Sequence, residues 1–209
     1  IAGIADRNGY INGGIGVEKS TDGGETWKLV PTITMQGAPA RAPRQPTILL
    51  HPGGRIQMLC RGSGKIPMTW SDDNGNTWSP LENTVLPGNF SGIDGVTLRD
   101  GRHILTYNHV PTKTGSKGGR CFLAASISKD GIAWSAALAL DACYYRGDSE
   151  APFGQKSYPS VIQARNGLVH IVYTYNRAGI GYIVVNPYKL TEANTVPMPD
   201  GNWPSSIPQ

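Results

Sequence analysis

The sequence predicts an all-β chain assembled from repeated antiparallel sheets. Three observations predict it: a short phrase in three near-copies, a second repeat out of phase with the first, and a composition without helical periodicity. The phrase reads Ser20-Thr-Asp22-Gly-Gly24-Glu-Thr-Trp27, Ser71-Asp-Asp73-Asn-Gly75-Asn-Thr-Trp78 and, one residue shorter, Ser128-Lys-Asp130-Gly131-Ile-Ala-Trp134. In each copy the Asp bonds nearby backbone N–H groups and the Gly accepts a positive φ, so the chain turns between two strands. The Trp then opens the next strand as an apolar anchor. The spacing of Ser20, Ser71 and Ser128 gives a period of about 50 residues, the length of one four-stranded propeller blade.

The second repeat supplies the inner strands. Leu49 to Cys60 around Gly54, Thr97 to Tyr107 around Gly101, and Ile162 to Tyr173 around Gly167 each read as strand, tight Gly turn, strand. A further strand follows each (Lys65–Ser71, Cys121–Ser128, Gly181–Asn186), and in two cases an Asp-Gly turn and an outer strand come after it. Three blades are thus expected, at about 45 to 84, 93 to 143 and 157 to 195, preceded by half a blade made of Gly14–Ser20 and Trp27–Pro31. The expected domain division is a partial propeller over residues 1–195 and a C-terminal tail over 196–209. A propeller must close to cover its sheet faces and edges, and about three and a half blades do not close. The expectation is therefore a segment of a longer protein, completed by N-terminal blades or by another chain; a complete small all-β domain is the alternative. Trp27, Trp78 and Trp134 recur with the period and are expected in equivalent, deeply buried positions between blades.

With 39% hydrophobic residues, 27 Gly and 16 Pro, the chain reads as a turn-rich globular protein. No apolar run approaches membrane-span length, so no membrane partner is expected. The net charge of +4 comes from scattered basic residues, which argues against nucleic acid. A few arginines gathered in one pocket would suit a small anionic ligand. Cys60, Cys121 and Cys143 match no metal spacing, and the first two sit in strand-like runs where a buried small hydrophobe is the favoured reading. No metal or cofactor is expected. Asn89-Phe90-Ser91 is a glycosylation sequon and points to a secreted or lumenal protein.

The phrase Ser-x-Asp-x-Gly-x-x-Trp is the Asp box, or BNR repeat, and two copies match it fully. With the blade period, residues 14–195 resemble the sialidase-like superfamily of six-bladed propellers. The boxes lie on the outer rim of such folds and also occur in propellers without enzymatic activity, so they speak for fold. The resemblance implies a glycoside hydrolase of the exo type, in which arginines hold the carboxylate of an acidic sugar, a tyrosine activated by a glutamate attacks, and an aspartate serves as acid and base. Ser157-Tyr158-Pro159-Ser160-Val161, ahead of Asn166-Gly167-Leu168, is similar to the family's tyrosine motif. Cys60-Arg61-Gly62-Ser63-Gly64 resembles the second arginine's surroundings, and Arg120-Cys121-Phe122-Leu123 after Asn108-His109-Val110-Pro111 those of the third. Arginine suits the task because its planar fork takes a carboxylate bidentately and stays charged. The other reading of each arginine is a solvated strand-end residue or an ion pair.

One position departs from the pattern. Counting back equally from Gly54 and Gly167, Gln45 stands where Tyr158 stands, so the two are expected to face each other across the funnel, with Gln45 in the glutamate's place. An amide can hydrogen-bond a phenol but cannot take its proton. Asp94 is expected either to supply a nearby carboxylate or to bond its own backbone in a turn. Arg44, Asn108, His109, Tyr175, Asn176 and Arg177 complete the polar residues placed near the funnel, with His109 near the mouth. The competing functions are a sialidase-like hydrolase, a carbohydrate-binding propeller without catalysis, a uronate-directed lyase using a Tyr and a His, and a BNR propeller that mediates protein contacts.

Overall fold

The computed structural model describes residues 2–4, 15–33, 43–110, 119–145 and 152–207. Every described turn signal becomes a hairpin. Strands β1 (Ala2–Ile4), β2 (Ile15–Lys19) and β3 (Lys28–Ile33) form a three-stranded antiparallel sheet. Next, β4 (Arg44–Leu50), β5 (Ile56–Arg61), β6 (Ser63–Ser71) and β7 (Glu82–Asn89) make a four-stranded meander. The meander recurs as β8 (Asp94–Thr97), β9 (His103–Asn108), β10 (Phe122–Ser128) and β11 (Trp134–Ala142). A short pair, β12 (Tyr144–Tyr145) with β13 (Pro152–Phe153), leads to a three-stranded sheet of β14 (Lys156–Gln163), β15 (Val169–Tyr175) and β16 (Gly179–Val185). The last strand, β17 (Val196–Pro197), returns to pair with β11.

The sheets pack face to face in chain order, with one apolar cluster at each of three interfaces. Ile15, Val17 and Val30 meet Met58, Cys60 and Leu81 between the first two sheets. Leu49, Leu59 and Leu86 meet Leu105, Tyr107 and Trp134 between the second and third. Ile104, Ala125 and Ala137 meet Val161, Val169 and Ile171 between the third and fourth. Because successive side chains of a strand point to opposite faces, Met58 and Leu59 serve different interfaces, as do Ile104 and Leu105. The middle sheets are therefore covered on both sides. The last sheet is covered on one, and Ile180, Tyr182 and Val184 stand exposed on β16.

The three Asp boxes repeat one hydrogen-bond pattern. The serine hydroxyl bonds the aspartate two residues on and accepts a backbone N–H from the turn glycine: Ser20 from Gly24, Ser71 from Gly75, Ser128 from Gly131, each at 2.8 Å. The aspartate then collects the N–H groups that follow, Thr26, Thr77, or Ile132 and Ala133.

Two expectations need correction. The tryptophans are not equally buried: Trp134 is 2% exposed, Trp78 is half-buried, and Trp27 is 46% exposed. Trp134 and Trp78 pack toward the sheet before their own, and among the described residues no sheet precedes that of Trp27. The local turn is kept regardless, since Trp27 Nε1 and Trp134 Nε1 donate to Gly24 O and Gly131 O at 3.0 and 3.2 Å. Residues 196–207 are likewise no loose tail. β17 extends the third sheet, Met198 is buried in its core, and Trp203 packs edge-on against Phe122. Of the expected elements, Gly14 and Pro111 lie outside the described residues.

Candidate functional site

The site is built where two strands break their own rules. Tyr158 and Gln45 have φ of 51° and 48°, in the left-handed region that side chains rarely adopt, and each precedes a proline. In both cases the strand pairing slips at that point, between Arg44 and Pro46 on β4 and between Ser157 and Ser160 on β14. The equal count from the turn glycines thus corresponds to an equal backbone distortion. Such distortions cost about 1–3 kcal/mol each and persist where the surroundings over-determine them.

Arg61 joins the two. It is buried, its Nη1 donates to Gln45 Oε1 at 2.6 Å, and its guanidinium lies 4.5 Å from the Phe90 ring centroid. Arg120 lies over the Tyr158 ring at 4.7 Å. Hydrogen bonding and charge from Arg120, backed by Arg61, hold the Tyr158 phenol below its ordinary pKa. Gln45 therefore meets Tyr158 through Arg61, and its carbonyl braces the arginine. Among the described residues no carboxylate forms an ion pair with Arg44, Arg61 or Arg120.

Arg120 is held in place by its neighbours. Its carbonyl accepts the Lys156 N–H at 2.7 Å, and the adjacent Cys121 is disulfide-bonded to Cys143. Cys60 is buried and free as the sequence suggests, but the buried-hydrophobe reading of Cys121 is wrong, because β11 brings Cys143 alongside it. Asn89, the sequon residue, spends its amide on Gly119 O.

The other expected residues divide. Asp94 bonds its own turn and its neighbours: one oxygen accepts from Thr47 Oγ1 and the Gly95 N–H, the other accepts the Val161 N–H at 2.8 Å, so it ties β4, β8 and β14 together. Asn108 is buried and donates to Lys156 O at 2.7 Å, bracing the strand that carries Tyr158. His109 is not at a mouth. It is 3% exposed, bonds Tyr107 Oη at 2.7 Å, and packs between Phe122 and Trp203; burial pushes its pKa down to about 4. Trp203 of the C-terminal segment packs against it. Tyr175 lies under the buried Lys156 amine, Asn176 Oδ1 accepts the Gln155 N–H, and Arg177 bonds Gln155, forming a second polar group at the same strand ends.

Three residues were passed over in the sequence. Phe90, with φ of 58°, sets its ring beside both Arg44 and Arg61. Gly92 leaves room for Tyr158, since a Cβ there would sit 2.9 Å from the ring. Its signal was present: Gly92 is as far before Gly101 as Gln45 is before Gly54. Lys156, fully buried beside Asp141, gave none.

Residues 14–171 match the BNR repeat-like domain, and the chain belongs to that family. No curated protein matches it. Among solved structures it is similar to the NanB sialidase of Streptococcus pneumoniae, at 18% identity and TM-score 0.63 over 87% of this chain and 29% of that one. The intramolecular trans-sialidase of Ruminococcus gnavus, in complex with oseltamivir carboxylate, aligns at 22% identity and TM-score 0.60 over 84% of this chain and 38% of that one. A leech intramolecular trans-sialidase complexed with 2,7-anhydro-Neu5Ac gives 20%, 0.59, 86% and 28%. These likenesses define an all-β fold of the sialidase-propeller kind, and the chain spans less than two fifths of the length of each of the three.

Proposed function

We propose that the chain supplies about three and a half blades of a six-bladed sialidase-like propeller, residues 1–195 with the following segment sealing the third sheet. In this reading it binds sialic acid or a related acidic sugar, with Arg61 and Arg120 on the carboxylate, and cleaves the glycosidic bond with Tyr158 as nucleophile. The observation that carries the reading is a phenol flanked by two guanidiniums that have no carboxylate partner among the described residues. Arginines so placed bind an anion by charge-assisted hydrogen bonds, and by stabilising phenoxide they raise the fraction of nucleophile at a given pH. Tyr158 Oη would bond to the anomeric carbon as the leaving oxygen departs, and water would then release the sugar. The acid for the leaving group lies outside the described residues in this account. The bare face of β16 and the exposed Trp27 support completion of the fold by further blades or by another chain. The Cys121–Cys143 disulfide supports a secreted or lumenal setting.

One observation favours a second reading, a carbohydrate-binding propeller without turnover: Gln45 bonds Arg61 and brings no base to the phenol. A lyase that pairs Tyr158 with His109 is not supported, because His109 is enclosed in the core. Turnover of a sialoside by wild type, Tyr158→Phe and Gln45→Glu separates the readings. Hydrolysis lost in Tyr158→Phe with binding kept supports the enzyme. Binding without turnover in wild type and Gln45→Glu supports the lectin. Release of an unsaturated uronate, absorbing in the ultraviolet, from a uronate-containing polysaccharide would contradict both.

A further inference from the structure

Arg120 stands outside the ladder of the sheet that carries it. β10 begins at Phe122 and β11 ends at Ala142, and these two residues are the last pair between the strands. Beyond them Cys121 is tied to Cys143 twice, by the Cys143 N–H that its carbonyl accepts at 2.9 Å and by the disulfide. Arg120 comes next, with the Lys156 N–H on its own carbonyl at 2.7 Å. No ion pair among the described residues holds its guanidinium, which lies 4.7 Å from the Tyr158 ring centroid. A backbone hydrogen bond contributes little net, because water competes for both partners once the segment opens. The covalent link does not exchange with water, and it sits one residue from the arginine.

A reductant can reach that link. Cys121 and Cys143 are both half-buried and lie outside the three apolar clusters, one of which encloses Cys60. Cys60 is free, and burial pushes its thiol up, so a thiol reagent acts on this chain at one place. Accessible disulfides are the exchangeable ones. A dithiol's thiolate attacks one sulfur, its second thiol displaces the mixed disulfide, and two electrons and two protons leave Cys121 and Cys143 as thiols while the dithiol becomes a cyclic disulfide.

Tyr158 depends on Arg120 more than on Arg61, since hydrogen bonding and charge from Arg120 lead in holding the phenol below its ordinary pKa. Resting on the acidic-sugar reading above, we propose that the Cys121–Cys143 disulfide is the positioning element of Arg120 and makes the site redox-sensitive. Reduction frees the guanidinium from the Tyr158 ring and weakens the hold on an acidic sugar, while the ladders and clusters that build the sheets stay intact.

The test uses the intact protein that contains this chain in three forms, oxidised, reduced with a dithiol and reoxidised with glutathione disulfide, together with a Cys121→Ser, Cys143→Ser double variant. Calorimetry with a monosialyl lactose should show binding about tenfold weaker after reduction and in the double variant, restored on reoxidation, with the far-ultraviolet circular dichroism unchanged. Ultraviolet absorbance follows the phenol: subtracting the matching Tyr158→Phe protein isolates Tyr158, whose titration should shift upward in the double variant. In Arg120→Met neither reduction nor the serine pair should change affinity or titration further, which separates positioning from a general loss of stability. Equal affinity and equal titration with and without the disulfide overturn the proposal. So does an Arg120→Met protein that responds to reduction as the wild type does, or a circular dichroism spectrum lost on reduction. An oxidised wild type that binds no sialyl lactose overturns the acidic-sugar reading, and the Tyr158 titration still decides the role of the disulfide.

Discussion

The two ends of the middle sheets are built on opposite principles. At one end the Asp boxes close on themselves: serine, aspartate and glycine satisfy each other within a few residues, three times over, whatever packs beside them. At the other end the corresponding positions of three inner strands hold Gln45, Gly92 and Tyr158, two of them at positive φ and one reduced to a glycine that admits the tyrosine ring. Repetition marks what builds the sheets. Departure from repetition marks the candidate site, where the groups bond to residues far away in sequence.

That contrast can be broken in several ways. The largest effect is expected at Trp134, whose replacement by Ala should cost about 3–5 kcal/mol, whereas Trp27→Ala should cost under about 1 kcal/mol because the ring is half exposed. Denaturant unfolding measures both, and equal costs would show that the boxes are packed alike after all. Arg61→Met should weaken an acidic sugar about 100-fold while a neutral sugar is unaffected; equal losses for both ligands would mean that the arginine shapes the pocket rather than binding charge.

A smaller effect concerns pH. Burial lowers the pKa of His103 and of His109 to about 4 in the folded chain. Both bind protons more readily when unfolded, so the stability from keeping them neutral is present above about pH 6.5 and is lost as the pH falls toward 4. The loss should be about 3 kcal/mol for each histidine, and replacing His109 with Gln should remove its share and make the stability profile shallower over that range. An unchanged profile would mean that the ring is hydrated in solution. The smallest effect is Gly92→Ala, which should displace the Tyr158 ring and lower turnover about tenfold without moving the melting temperature by more than a few degrees. A variant with unchanged turnover would show that the ring has freedom to shift.

Much of the architecture was readable in the sequence because it is periodic. The Gly turns and the Ser-x-Asp phrases placed the described strands of the middle sheets within a few residues. The repeat could not reveal burial, which depends on what lies across each sheet: hence the exposed Trp27 and the packed C-terminal segment, whose Trp203 encloses His109. In the site, Tyr158, Arg61, Arg120 and Gln45 were found by counting from turns and by motif, and the structure brings them together. For Asp94 the sequence left a pocket carboxylate and a turn residue open; the bond from the Gly95 N–H fits the second, and the ties to Thr47 and Val161 leave no trace in local sequence. Phe90 was seen only as the middle of a sequon, since a ring shared by two arginines is a tertiary fact.

In the proposed site, Arg61 and Arg120 beside Tyr158 hold a sugar carboxylate. The most direct test of that assignment is the affinity of the intact protein for a sialoside compared with the same sialoside whose carboxylate is converted to the carboxamide. The two ligands share every contact except the charge. The acid should bind at least about 30-fold more tightly, and the gap should close in an Arg61→Met, Arg120→Met double variant. Equal affinity for acid and amide in the wild type would contradict it.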